Sequence, residues 1–351
     1  MSGPEQSTWL LSLEERARDV LPEVVFGYYR QGARDGVTAS EAAEAWLRYR
    51  LLPRVLVDVR AVETTTSFLG SDASGPYGVA PTTLQRAADP GGEVAMAKAC
   101  AAAGVPMVVS SNATATFAEI AATGVTWWLQ AYLPEERALA RPLLESAVAA
   151  GARAVVLTAD TPVVGTKYDD GAIWSAIPPA WLRVNLGDAA DAPKARDLGP
   201  ADVGWLGEVT GLPVVVKGIL RPDDARRAVD AGAAAVWVSN HGGRQLDLAA
   251  ATADCLPGVA AAVDGDVPVY VDGGVRSGTT VLTALALGAD AVFLGRLPLY
   301  ALATGSTAGV ERLLSTLAEE LVEGLRLSGC TRPEDARGLV NNSPMAGEKC
   351  P

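Results

Sequence analysis

The stretch SNHGGRQLD, residues 239–247, holds His241, the single histidine of a 351-residue chain. An imidazole is the side chain best suited to moving a proton near neutral pH. The glycines after it let backbone come close to a ligand, and Arg244 can grip a carboxylate or phosphate through two parallel hydrogen bonds. Together they describe a site that holds an anion and shifts a proton. Asp160, in TADTP, is a carboxylate that could orient the imidazole and stabilise its charged form, or could simply cap a turn. Lys217 ends the apolar run PVVVK. Two tasks suit it: a neutral amine forming a Schiff base, or a cation facing negative charge as it develops. The segments DGGVRSG (272–278) and LGRLPLY (294–300) pair glycines with Arg276 and Arg296. Bare backbone N–H groups, a helix N-terminus and a cation are what a phosphate needs.

These residues need a scaffold that brings them together, and the chain repeats one. AAGVPMVVSS, ATGVTWWLQAY, AAGARAVVLTAD, VTGLPVVVKG, DAGAAAVWVSN and ALGADAVFLGR share a grammar: a helix end, a glycine near the C-cap, then a β-branched run ending in a polar residue. GPYGVAPT and DVPVYVDGG bring the strands to eight. Amphipathic stretches such as PGGEVAMAKACAAAG and RPDDARRAVDAGA lie between them. Apolar strands alternating with helices mean a parallel sheet covered by helices, and eight such units close most simply into a (β/α)8 TIM barrel. The competing open, doubly wound sheet lacks its expected GxGxxG after the first strand. Chemistry in such a barrel belongs at the strand C-terminal ends. Those ends read Thr82, Ser110, Gln130 with Tyr132, Thr158 with Asp160, Lys217, Ser239 through Arg244, Asp272 to Gly274, and Gly295 with Arg296.

Three regions are expected: an N-terminal helical extension (1–75), the barrel (76–340) and a C-terminal tail (341–351). In the first, SLEERARDVLPEVVFGYYRQGA has helical spacing, and TASEAAEAWLRYRLL opens on a Thr/Ser cap and continues as a helix. Trp127 and Trp128 read as packing residues. Trp174 and Trp181 fall in a long irregular stretch, about 165–205, that suits a lid or ordinary packing equally.

Composition narrows the function. A net charge of −12 makes nucleic acid and anionic membrane surfaces poor partners. Four scattered cysteines, with no CxxC, read as free thiols and offer no zinc site. The N-terminus is acidic where a signal peptide is basic, and no run of about 20 apolar residues could span a bilayer. A cytoplasmic protein is expected.

SNHGGRQLD resembles the signature of the FMN-dependent α-hydroxy-acid oxidases and dehydrogenases, the glycolate oxidase and lactate oxidase family. FGYYRQGARDG, LLPRVLVDV, VAPTTLQ, SSNATAT, LQAY, LTADTP, VVVKG, VYVDGGVRSG and FLGR extend the resemblance along nearly the whole chain. It implies FMN as cofactor, oxidation of an (S)-2-hydroxy acid to the 2-oxo acid, and molecular oxygen or another acceptor taking the electrons. By the same resemblance His241 matches the catalytic base and Asp160 its supporting carboxylate. Tyr28 and Arg244 match the substrate-carboxylate clamp, and Tyr132 the tyrosine near the substrate hydroxyl. Lys217 matches the lysine beside flavin N1, which selects the cation role. Pro81, Thr82, Thr83, Ser110, Gln130, Thr158 and Ser239 match flavin contacts; Asp272, Gly273, Gly274, Arg276, Gly295 and Arg296 match the ribityl and phosphate site. Three positions depart from the family pattern. Asn112 replaces a tryptophan of glycolate oxidases, Lys167 replaces a second substrate-side arginine, and Thr83 replaces a smaller residue near flavin N5. The open wall at Asn112 implies an aryl acid such as 4-hydroxymandelate, with lactate, glycolate or mandelate as alternatives. Self-association, with tetramers common, is also implied.

Overall fold

A computed structural model describes residues 4–168 and 171–340. Its centre is a closed barrel of eight parallel strands: β3 (Tyr77–Val79), β4 (Met107–Ser110), β5 (Trp127–Ala131), β6 (Val155–Thr158), β7 (Val214–Ile219), β8 (Ala235–Val238), β9 (Val269–Val271) and β10 (Ala291–Leu294). β10 pairs with β3 and closes the ring. Every strand expected from the repeated grammar is present. The glycines of that grammar, among them Gly104, Gly151, Gly211 and Gly232, take left-handed φ values where helices end.

Strand alternation divides the core in two. One parity faces the surrounding helices and merges with their apolar faces. The other points inward: Val108, Trp128, Val156, Val215, Trp237, Tyr270 and Phe293 fill the barrel, all buried. Extending the inward parity by one more residue pair reaches Ser110, Gln130, Thr158, Lys217, Ser239 and Asp272. The same period of two that packs an apolar core below therefore delivers a ring of polar groups above it. Trp127 and Trp128 both pack, but on opposite faces: Trp127 lies against Phe117, and Trp128 lies inside the barrel.

The region before the barrel departs from an all-helical reading in three ways. Pro22 splits the first helical stretch into Pro4–Val20 and Glu23–Arg30, because a proline lacks the N–H needed inside a helix. The next helix, Val37–Trp46, has no Thr or Ser side-chain cap. The Asp247 carboxylate accepts instead from the N–H groups of Gly36 (3.1 Å) and Thr38 (3.0 Å), and the helix stops well before residue 52. The region then ends in a hairpin, β1 (Thr66–Phe68) and β2 (Ser71–Ala73). Phe68 from this hairpin enters the barrel floor, its ring 5.7–6.1 Å from those of Trp128, Tyr270 and Phe293. The proposed tail, 341–351, lies outside the described residues. Among the described residues, no helix is long and apolar enough to cross a membrane.

Phe68 is 1% exposed and plugs the end of the barrel opposite the polar ring. Phe68→Ala should therefore cost about 3–5 kcal/mol of stability, read as a lower urea midpoint at unchanged slope. A loss below about 1 kcal/mol would show that the hairpin is not part of the core.

Candidate active site

The polar ring opens into a cavity of about 270 Å³. Its walls carry Tyr28, Pro81, Thr82, Thr83, Ser110, Asn112, Gln130, Tyr132, Thr158, Lys167, Lys217, His241, Arg244 and Asp272, together with Gly273, Gly274, Arg276, Gly295 and Arg296. The strand ends named from sequence thus converge on one space. Asp160 and Ser239 stand behind this wall and hold residues that form it.

His241 Nδ1 lies 3.0 Å from Asp160 Oδ1. That pairing spends Nδ1 on the carboxylate and leaves Nε2 as the ring nitrogen able to take a proton. Burial by itself would raise the Asp160 carboxyl. The His241 ring and its hydrogen bond, the Lys217 charge and a hydrogen bond from Thr161 outweigh burial and hold it at about 2. The dyad also depends on the next strand. Gly218 has φ 110°, and a Cβ there would lie 2.6 Å from Asp160 Cβ. Only glycine leaves room for this carboxylate beside β7. His241 itself takes φ 59°, a left-handed value unusual for a residue with a side chain, and Gly242 and Gly243 continue it. A Cβ on Gly243 would meet Ala39 N at 2.5 Å, so the extension closes directly over the histidine turn.

Lys217 Nζ donates to Ser239 Oγ at 2.6 Å and lies 3.1 Å from Asp272 Oδ2. Ser239 Oγ donates to Asp272 Oδ1 at 2.8 Å and accepts from His241 N at 3.1 Å. An ammonium held in this way supplies positive charge rather than a nucleophilic amine, which disfavours the Schiff-base alternative. Asp272, assigned by resemblance to the ribityl and phosphate end, here serves as the counter-ion of Lys217.

Arg244 is fixed by two carbonyls, donating from Nη1 to Tyr28 O (2.8 Å) and Gln31 O (2.9 Å), with its Cζ 4.9 Å from the Tyr28 ring centre. Tyr28 in turn meets Trp174 edge to face at 5.7 Å. Trp174 sits on the short helix Ala172–Ala176 of the irregular stretch and lines the cavity, whereas Trp181 only packs against the core. Lys167 is buried and donates to Gly165 O at 2.7 Å. Burial pushes the Tyr132 phenol far up, with the Asp160 charge adding to it. Lys194, Leu182 and Val164, which carried no sequence motif, also line the cavity, as does Gln245 of SNHGGRQLD, to which no role was given. Gln245 Nε2 donates to Thr161 Oγ1 (2.7 Å), and its Oε1 accepts from Gly165 N (2.8 Å), tying the irregular stretch to the dyad.

Beside this group, Arg276 and Arg296 donate only to backbone carbonyls, Arg296 to Tyr29, Gly242 and the Gln31 carbonyl it shares with Arg244, and neither has a carboxylate partner among the described residues. Burial lowers both guanidiniums, Arg296 to about 10 with Arg244 and Arg276 adding to the effect. Two desolvated cations without an acid partner among the described residues, Arg296 at the start of the helical segment Arg296–Leu327 and Arg276 just before the helix Gly278–Ala286, fit a phosphate ester. The neutral donors Ser110, Gln130 and Thr158, with Gln130 Nε2 bonded to Thr158 Oγ1 at 3.0 Å, leave hydrogen-bonding edges for a planar heterocycle. The donor set suits FMN.

Comparison with known proteins agrees with this geometry. The family model of FMN-dependent dehydrogenases matches residues 17–342. An L-lactate oxidase of Nostoc sp. is 42% identical, over 93% of this chain and 95% of its own. The human 2-hydroxyacid oxidase 1 is 41% identical, over 96% of this chain and 97% of its own. Among solved structures, a mandelate oxidase with (S)-4-hydroxymandelic acid superposes with a TM-score of 0.89 at 38% identity, covering 95% of this chain and 98% of that one. The chain belongs to the FMN-dependent dehydrogenase family, and its cofactor is FMN.

Proposed function

We propose that the protein oxidises an (S)-2-hydroxy acid to the 2-oxo acid and passes the electrons to oxygen, releasing hydrogen peroxide. The observation that carries this reading is one cavity presenting both a fixed anion clamp, Arg244, and an imidazole whose Nε2 has no hydrogen bond among the described residues. The substrate carboxylate rests on Arg244 and Tyr28, which turns the α-carbon and its hydroxyl toward His241 and Tyr132. His241 Nε2 takes a proton from the substrate, and Asp160 stabilises the imidazolium that results. FMN supplies the two-electron acceptor. Lys217 places a positive charge where negative charge arrives during reduction. Two electrons and two protons leave the hydroxy acid, and both pairs end on O2 as H2O2.

For the substrate side chain, an aryl group is the better fit, and 4-hydroxymandelate is the acid proposed. Tyr28, Trp174, Leu182 and Val164 give the cavity apolar and aromatic lining, and Asn112, smaller than a tryptophan, lines it too. A related mandelate oxidase has been solved with (S)-4-hydroxymandelic acid. Lactate is the second reading, because a lactate oxidase is among the relatives at 42% identity.

The test is peroxide formation from 4-hydroxymandelate, mandelate, lactate and glycolate under air. The aryl acids should give the higher kcat/KM; faster turnover of lactate would move the assignment to the second reading, and no turnover of any of them would overturn it. His241→Ala should slow anaerobic flavin reduction by the preferred acid roughly 10²- to 10⁴-fold, the ordinary range for a general base, while FMN content stays the same. Asp160 contributes to acid stability with a defined sign. Its carboxyl is lowered in the fold from 3.8 to about 2, so its contribution is present above pH 4 and disappears as pH falls toward 2. The difference corresponds to about 2 kcal/mol. Asp160→Asn should flatten that limb of the stability profile, whereas an unchanged limb would show the ion pair to be energetically neutral.

A further inference from the structure

Lys194 arrives at the cavity from the irregular crossover between β6 and β7, and backbone pairing fixes its position. Ala195 N donates to Leu133 O (2.8 Å) and Glu135 N donates to Pro193 O (2.9 Å), so the segment lies antiparallel to the chain leaving β5. Leu133 and Ala195 are each 2% exposed, which anchors the crossing in the core. Lys194 Nζ consequently sits 3.7 Å from the centre of the Tyr132 ring. The other cations of the cavity have oxygen partners: Lys217 has Asp272 and Ser239, Arg244 has two carbonyls, and Lys167 has Gly165 O. Among the described residues, the Lys194 ammonium has no ion pair and no hydrogen bond, only the aromatic face. Burial lowers it from 10.5 to about 8; the Asp160 carboxylate opposes that shift and Lys167 adds to it. A half-buried ammonium with all three donors free, on the wall of a substrate cavity, is poised for an acceptor that the ligand brings.

One substrate carboxylate is already served by Arg244 and Tyr28. We propose that Lys194 is a specificity residue that binds a second oxygen group on the substrate, a phenolic hydroxyl or a carboxylate, apart from the 2-hydroxycarboxylate. This rests on the assignment of Arg244 as the carboxylate clamp. It deepens the aryl reading by naming what the para substituent would meet. Tyr132 keeps the cationic head in place and presents it to the cavity through its ring quadrupole.

The experiment compares the holoenzyme with Lys194→Met and Lys194→Arg on mandelate, 4-hydroxymandelate and 4-carboxymandelate. Both kcat/KM and the Kd of the corresponding 2-oxo acids are measured, the latter from perturbation of the flavin spectrum. Lys194→Met should lose at least fivefold more kcat/KM, and the same factor in Kd, on the substituted acids than on mandelate. Lys194→Arg, which keeps the charge, should recover part of the difference. Equal losses on all three acids would mean that Lys194 acts through Tyr132 on the common reaction, and no loss on any would mean that it does not touch the ligand; either overturns the proposal. If the wild-type enzyme neither binds nor oxidises the aryl acids, the aryl reading fails separately. The same ratio is then read on malate against lactate, where a selective loss on malate supports the second-anion subsite and an equal loss overturns it.

Discussion

A lysine inside a barrel must have its charge answered. Lys217 is 4% exposed and stands at the inward position that apolar residues hold lower on the same strand. Taking an ammonium out of water costs several kcal/mol, and removing the partner of a buried ion typically costs about 3–5 kcal/mol. Asp272 and Ser239 meet that cost from β9 and β8, and the register that pairs Val216 with Val236 and Val238 with Val271 brings them into reach. Ser239 then holds the backbone N–H of His241, so the lysine's counter-charge and the position of the base depend on one hydroxyl. The barrel could not slip a strand without leaving one of these charges unpaired.

The cavity is cationic although the chain carries a net charge of −12. Its positive groups are divided by partner. Arg276 and Arg296 are bonded only to carbonyls among the described residues. Lys217 is paired with Asp272. Arg244, Lys167 and Lys194 line the same cavity. The Asp160 carboxylate, behind the wall, is paired with His241. This arrangement suits anionic ligands and leaves the Lys217 charge balanced by Asp272.

Much of this was legible from the residues. The repeated glycine-then-apolar grammar located six of the eight barrel strands, and the apolar runs of GPYGVAPT and DVPVYVDGG the other two, because parallel strands buried on both faces leave a strong local signal. The strand-end rule then placed Lys217, His241 and Asp272 without further information. The hairpin carrying Phe68 went unread: its strands TSF and SDA are short and mostly polar, without an apolar run, and Phe68 is explained only by the barrel it plugs. Asp247 as the cap of a helix more than 200 residues upstream is a tertiary substitution for a local Thr or Ser signal. Lys194 was silent for a similar reason. Its place is set by backbone pairing between two irregular segments, and nothing in the residues around it records that pairing.

The most direct measurement of the central claim is the two-electron reduction potential of bound FMN in the wild-type protein and in Lys217→Met. If Lys217 answers charge as the cofactor is reduced, its loss should lower the potential on the order of tens of millivolts, the equivalent of a unit charge acting over a few ångströms in a partly shielded site. Equal potentials, with FMN bound in both proteins, would contradict the account and reduce the Lys217–Asp272 pair to a structural role.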